Sequence, residues 1–234
     1  MSSSVQAETG SAPGAGLRVG LQRERALIAF VARAQRKGLG LLGAALYAFG
    51  VFVTYAIGIA LARGSDRRAV IQGLMHAALG SLSWVVGALA AFGTAGILAQ
   101  QAEGDGLRAL ASQRGFDARA VWRARTLASA LRIARLLGIP ALLLVGVAVA
   151  RGQSLAWAIV TAPAAIVYAA ALGLCLAILA HVSAALSPRH PRVLLAALLL
   201  MPLLISQAYP AVPSLQQVFA ALLDGLFGIG AALT

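Results

Sequence analysis

The side chains that could do acid–base, nucleophilic or metal chemistry are few in this sequence of 234 residues, which has three histidines, one cysteine and seven acidic residues. His76, His181 and His190 lie far apart and show no metal-ligand spacing such as H-x-x-x-H. We expect them to contact lipid headgroups or solvent. No local signature of a Ser, His and acid set occurs, and Cys175 has no second cysteine to pair with. The chain is therefore predicted to bind no metal or cofactor of its own and not to be an enzyme.

One acidic residue lies inside a long apolar stretch. A charge at the centre of a bilayer costs roughly 2.5–3.5 kcal/mol on insertion scales, so Asp224 is expected to face a polar cavity or to pair with an arginine. Two interpretations of this residue stay open. Asp224 lines a translocation route or a dimer contact, or it lies near the membrane interface beside a re-entrant turn.

The composition indicates where these side chains must be placed. Hydrophobic residues make up 60% of the chain and charged residues 11%, against roughly 45–50% and ~25% in soluble domains. Leu and Ala dominate the apolar runs and aromatic residues are 6%, which favours helices over the alternating strands of a barrel. The predicted fold is an all-α integral membrane protein with about six transmembrane helices, because one crossing needs roughly 20 apolar residues.

Arginine, glycine and proline residues separate the apolar runs. The second run has 32 residues, more than one upright crossing needs, so part of it must tilt or project. Prolines predict a helix break in the SPRHPR loop, and a break or partly re-entrant hairpin at QAYPAVPS. The predicted spans are 39–62, a segment within 69–100, 131–150, 155–186, 193–207 and 215–233.

The part of the chain before the first span divides in two. Residues 1–16 are rich in Ser, Gly and Ala and are predicted to be a disordered tail. Residues 17–37 place apolar side chains near one helical face and arginines elsewhere, which predicts an amphipathic interfacial helix. The alternative is a simple basic flank to the first span. The apolar face comprises Leu21, Leu27, Ile28 and Val31.

The net charge of +12 comes from 18 arginines and one lysine. In a soluble protein this excess would suggest a nucleic-acid partner. Here the basic residues flank apolar runs, which indicates membrane orientation instead. Fifteen lie on one side of the predicted spans and four on the other, so the chain is predicted to be a multi-pass protein of the bacterial inner membrane with both termini cytoplasmic.

The spanning domain, residues 38–234, contains a polar segment at 101–125 between spans two and three. Leu107, Leu110 and Ala111 recur there at helical spacing, Arg114 and Gly115 interrupt the run, and the helical pattern resumes afterwards. The pattern predicts a short helix, a turn and a second helix that leads into the membrane. This segment is the natural place for a soluble partner to bind.

At this segment the chain resembles the permeases of the type-2 ABC exporter family. In that family a Glu at the cytoplasmic end of span two is followed by Gly, a Leu-rich short helix, a turn and an apolar re-entry. The family commonly has Pro and Ser or Thr at the turn, whereas this chain has QRGFD. Which residues contact the partner therefore stays open. The matching positions are Glu103, Gly106, Leu107, Leu110 and Gly115.

The resemblance implies that the short helix is a coupling helix that docks in an ATPase subunit, which binds ATP and Mg. The chain itself has no G-x-x-x-x-G-K-[ST] loop. The other implied partners are membrane lipid and a second permease copy or sister permease, and the implied cargo is apolar or amphipathic. Two rival hypotheses are a non-transporting scaffold or assembly factor and an ion-coupled carrier. The expected coupling residues are Glu103, Gly106, Leu107, Arg108, Leu110, Arg114 and Gly115.

Overall fold

The protein is helical throughout the part of the chain that the computed structural model describes, residues 13–34, 39–64, 66–103, 106–209, 211 and 213–232. A π-helical turn, Leu82–Val86, joins the third helix to the fourth without interruption. The helices are α1 (Pro13–Ala34), α2 (Leu39–Leu61), α3 (Arg67–Ser81), α4 (Gly87–Glu103), α5 (Gly106–Gln113), α6 (Ala118–Ala150), α7 (Leu155–Leu186), α8 (Pro191–Ala208) and α9 (Leu215–Ala232).

Several of these helices have the length and apolar composition of membrane spans. Among the described residues, five candidates qualify, namely α2, the continuous α3–α4 rod, α6, α7 and α8. The apolar part of α9, Leu215–Phe227, is shorter. The prediction of an all-α multi-pass membrane protein is thereby confirmed, while the count of six spans stays a prediction.

Contacts between distant segments define two ends of the molecule. The Gln153 side-chain amide donates to the Arg68 carbonyl at 2.8 Å, which places the α2–α3 and α6–α7 connections side by side. The Arg132 guanidinium donates to the Ala32 carbonyl at 3.1 Å, which places the end of α1 beside the first half of α6. The end with α1, α5 and the start of α6 is called the arginine-rich end, and the other is the opposite end.

The α3–α4 rod lies at the centre of the bundle. In its most apolar window 67% of the residues are buried, against 22% in α2 and in α8. The candidate span within the rod has 34 residues from Arg67 to Gln100, about 51 Å at 1.5 Å per residue. It therefore exceeds the ~30 Å hydrocarbon layer and must tilt or project, as predicted. The π-helical turn interrupts its regular hydrogen bonding midway.

α6 and α7 approach each other more closely than side chains normally allow. A Cβ built on Gly173 would lie 2.8 Å from the Ala130 carbonyl oxygen and 3.0 Å from the Ala134 amide nitrogen. Only glycine permits this distance between the two backbones. Further along the crossing, Gly138 faces Ala169. The two helices form the most tightly packed pair of the fold.

α6 is longer than the third span predicted at 131–150. It runs unbroken for 33 residues from Ala118, so the predicted span is only its second half. We call residues 118–135, which include five arginines, the stalk. Pro140 lies within the helix and cannot donate a hydrogen bond to the carbonyl four residues earlier, so the helix can bend there.

Candidate functional site

The segment predicted to bind a soluble partner folds as a helical corner at the arginine-rich end. α5 covers Gly106–Gln113, and Gly115 ends it with a φ of +77°, a conformation that other L-residues rarely adopt. The Gly115 amide donates to the Ser112 carbonyl, and the Phe116 amide donates to the Ala111 carbonyl, each at 3.0 Å. This pair of bonds is a Schellman motif, which satisfies carbonyls at the end of the helix.

The second arm of the corner starts at once. Asp117 has an extended backbone and its carboxylate accepts a 2.7 Å hydrogen bond from the Ala120 amide, so it caps α6. Between the two caps, the Phe116 side chain packs against the apolar contact of α1 with α6. Only a few residues separate the two arms, and each helix end has its own cap. The corner is therefore stiff.

The expected coupling residues all lie in or beside this corner. Gly106 and Arg114 are exposed, as is Gly115 at the turn. The backbones of Glu103, Leu107, Arg108 and Leu110 belong to α4 and α5, but their side chains lie outside the described part of the chain. The roles expected for those four side chains remain predictions.

α1 packs on the stalk of α6. Leu27 and Val31 are buried against Ala124 and Ala128, so part of the face that the sequence assigns to the membrane contacts protein. Leu21 lies outside the described side chains. The described helix begins at Pro13, within the predicted disordered tail, and covers 13–34. Residues 1–12 of that tail and 35–37 of the predicted 17–37 helix lie outside the described residues.

Polar contacts fix the position of α1 further. The Arg123 guanidinium lies 3.3 Å from the Glu24 carboxylate, and Arg132 bonds to the last turn of α1. Sequence periodicity finds the apolar face of a helix but carries no information on which surface covers it. The docking of α1 on α6 could therefore not be predicted.

An open groove of about 700 Å³ separates α1 from the corner. Its walls combine three guanidinium groups with apolar side chains from both helices. The lining residues are Arg23, Ala26, Leu27, Phe30, Arg33, Ala111, Arg114 and Phe116.

The acidic residue of the last apolar run has a partner from α3. The His76 Nε2 atom lies 2.7 Å from the Asp224 Oδ1 atom, and 47% and 66% of the two side-chain surfaces stay exposed. The Phe227 ring meets the imidazole edge to face at 6.2 Å between centroids. The partner of Asp224 among the described residues is therefore a histidine, whereas an arginine or a polar cavity was expected, and His76 contacts this carboxylate in addition to its exposed surface.

A signal for this pair was present in the sequence. His76 and Asp224 each lie nine residues after the first residue of their helices, Arg67 and Leu215, and both helices run from the opposite end. Nine residues correspond to about 14 Å, so the two side chains reach similar depth. The contact joins α3 to α9 at this depth.

His181 is also placed differently from the prediction. It is buried in α7, its Nδ1 atom lies 2.9 Å from the Ala177 carbonyl oxygen, and its ring meets that of Trp122 at 6.1 Å. It therefore helps to join α6 to α7 instead of contacting solvent. His190 is exposed in the α7–α8 connection, as expected.

Within the described residues, no group of three or more His, Cys, Asp or Glu side chains is arranged to hold a metal ion. No family model, curated protein or solved structure matches the chain.

Proposed function

We propose that this chain is the membrane-spanning permease subunit of an ATP-driven exporter of the type-2 ABC class. The observation that carries the proposal is the corner at the arginine-rich end. A short helix with an exposed surface is joined by two adjacent caps to a helix of 33 residues that enters the apolar bundle. A partner that moves α5 must therefore move α6 as well.

The charge distribution supports the orientation in this proposal. Basic side chains concentrate on α1, the corner, the stalk and the α7–α8 connection, which in a bacterial inner membrane would be the cytoplasmic side. A soluble ATPase then meets α5 from the compartment that contains ATP. The ATPase subunit supplies the ATP and Mg chemistry, and this chain supplies the route across the membrane.

The apolar surface supports a second membrane subunit. In α2 and in α8 only 22% of the most apolar window is buried, and the exposed His76–Asp224 pair places polar atoms on an apolar surface. Polar groups at this depth are costly when they face lipid. In the proposed dimer, with a second copy or a sister permease, the pair lines the route between the subunits, and the cargo is apolar or amphipathic.

Photo-crosslinking tests the proposal directly. A photoreactive amino acid replaces the exposed Ala109 of α5 in cells that natively produce the chain, and the matched control replaces the exposed Arg63 at the opposite end. We expect irradiation to link position 109, but not position 63, to a protein that contains a G-x-x-x-x-G-K-[ST] loop. Mass spectrometry of the adduct identifies that protein.

A substitution experiment complements the crosslink. Replacing Leu107 and Leu110 together by Asp should abolish co-purification of the crosslinked ATPase. The two new carboxylates would lose their hydration in the docking cleft, which makes binding unfavourable. Arg63→Ala should leave the yield unchanged. An adduct whose partner lacks a nucleotide-binding loop would overturn the proposal in favour of the scaffold hypothesis.

A further inference from the structure

Three arginines give the groove between α1 and the corner a positive charge. Arg23, Arg33 and Arg114 line it, and none of the three forms an ion pair with an acidic side chain of the described residues. The nearest acid in sequence, Glu24, pairs instead with Arg123 on the stalk. Guanidinium groups bind phosphate with two parallel hydrogen bonds, so the groove is suited to a phosphate-bearing ligand.

The rest of the groove is apolar, which restricts the chemical class of ligand that fits it. Leu27, Ala111 and Phe116 line it beside Phe30, and half of the Phe30 surface is exposed. Inorganic phosphate or a nucleotide phosphate would use the arginines but not this surface. A phosphate that carries a hydrocarbon chain would use both.

The groove also lies at the level where lipid headgroups are expected. Arg33 precedes Leu39, the first residue of membrane-spanning α2, by six positions. The last turn of α1 is bonded to Arg132, and α6 has no charged residue after Arg135 until it ends at Ala150. A ligand in the groove can therefore have its phosphate at the headgroup layer and its chain among the acyl tails.

We propose that this groove is a binding site for an anionic membrane phospholipid. The phosphate group pairs with the guanidinium groups of Arg23, Arg33 and Arg114, and an acyl chain lies against Phe30. Basic pockets at the cytoplasmic ends of spanning helices bind such headgroups. An acidic segment of a partner protein is the competing occupant, but Arg33 lies only six positions before the first residue of membrane-spanning α2, which favours a lipid headgroup. The site is independent of the exporter proposal, because α1 contributes most of it and no ATPase is needed to fill it.

The test uses the purified full chain in nanodiscs of phosphatidylcholine with a minor fraction of phosphatidylglycerol. Native mass spectrometry after release from the nanodisc counts the phosphatidylglycerol molecules retained. We expect the wild-type chain to retain phosphatidylglycerol selectively, and the double variant R23Q/R33Q to retain it roughly 30-fold less, from the loss of two arginine contacts near an anionic surface. The matched control R25Q/R119Q removes the same charge from exposed positions outside the groove and should retain the lipid as the wild type does.

Two further arms separate the possible occupants. Inorganic phosphate at millimolar concentration should not displace the lipid, and Phe30→Ser should reduce lipid retention at unchanged charge. Equal losses in R23Q/R33Q and R25Q/R119Q would overturn the proposal, because total charge and not the groove would then determine binding. Displacement by inorganic phosphate would overturn the lipid as occupant. Wild-type lipid retention in R23Q/R33Q would also overturn the proposal, because the groove arginines would then not hold the lipid.

Discussion

The α6–α7 pair and the two helices nearest the chain ends, α1 and α9, are attached by different kinds of contact. α6 and α7 meet backbone to backbone at Gly173. Among the described contacts, α1 is attached by a small apolar cluster, an exposed ion pair and a hydrogen bond from Arg132. α9 is attached to α3 through an exposed polar pair and to α7 through the buried Phe219, whose ring meets that of Tyr168 at 6.1 Å between centroids. The difference indicates that the α6–α7 pair is fixed, whereas α1, which borders the groove, depends on more exposed contacts and can shift more easily.

The largest expected effect comes from widening the α6–α7 crossing. Gly173→Leu places side-chain atoms where the backbone of Ala130 and Ala134 already lies, and backbone cannot move aside as a flexible side chain can. We expect a loss of about 3 kcal/mol in the free energy of unfolding, at the upper end of the usual cost of overpacking. Denaturant unfolding of the detergent-solubilised chain, followed by circular dichroism, measures it.

Gly146 is the matched control for this substitution. It also lies in a spanning helix, but a Cβ built on it has nothing within 4 Å. Gly146→Leu should therefore change the free energy of unfolding by less than about 1 kcal/mol. Equal stability losses in the two variants would show that the α6–α7 crossing at Gly173 is not more tightly packed than the rest of the helix pair.

An intermediate effect is expected at α9. A double-mutant cycle with His76→Ala and Asp224→Ala should give a coupling free energy of about 0.6–1.7 kcal/mol, the range seen for hydrogen bonds between spanning helices. The same unfolding assay measures it. Strictly additive single effects would show that the 2.7 Å contact does not attach α9 to α3.

The smallest effect is expected at α1. The Glu24 and Arg123 side chains are 48% and 61% exposed, and exposed ion pairs contribute roughly 0.2–1 kcal/mol. Glu24→Gln should accelerate hydrogen exchange of the α1 amides a few-fold at low salt and much less at high salt, where the pair is screened. An acceleration that persists at high salt, or that reappears when Glu24→Gln is added to Arg123→Gln, would show that the ion pair does not attach α1.

Local signals predicted most of the helical framework. Span four was predicted at 155–186 and α7 covers Leu155–Leu186, because Gly152 and the SPRHPR loop interrupt the apolar pattern at both ends. The short helix, the turn at Arg114 and Gly115 and the restart at Ala118 were likewise predicted and are present. Helix ends depend on neighbouring residues, and those are visible in the sequence.

Contacts between distant residues were predicted poorly. His76 and Asp224 are 148 residues apart, and hydropathy alone gives neither residue a partner. The burial of His181 and the docking of α1 on the stalk depend in the same way on which helix faces which. The π-helical turn at Leu82–Val86 could not be recognised in the apolar pattern, which showed only that this span is unusually long.

The two caps of the corner have a mechanical consequence. Ala118–Ile139 is an unbroken helical segment that ends where Pro140 allows bending, so it acts as a lever arm of about 33 Å with its handle at α5. A 5° rotation at the α5 end would displace the far end by about 3 Å, which is the axial rise of two helical residues. Because Ala130 and Ala134 lie against Gly173, α7 would move together with this part of α6, and the step would displace the pair against the neighbouring helices. Beyond Pro140, the remaining turns of α6 could keep their own contacts while that step is taken.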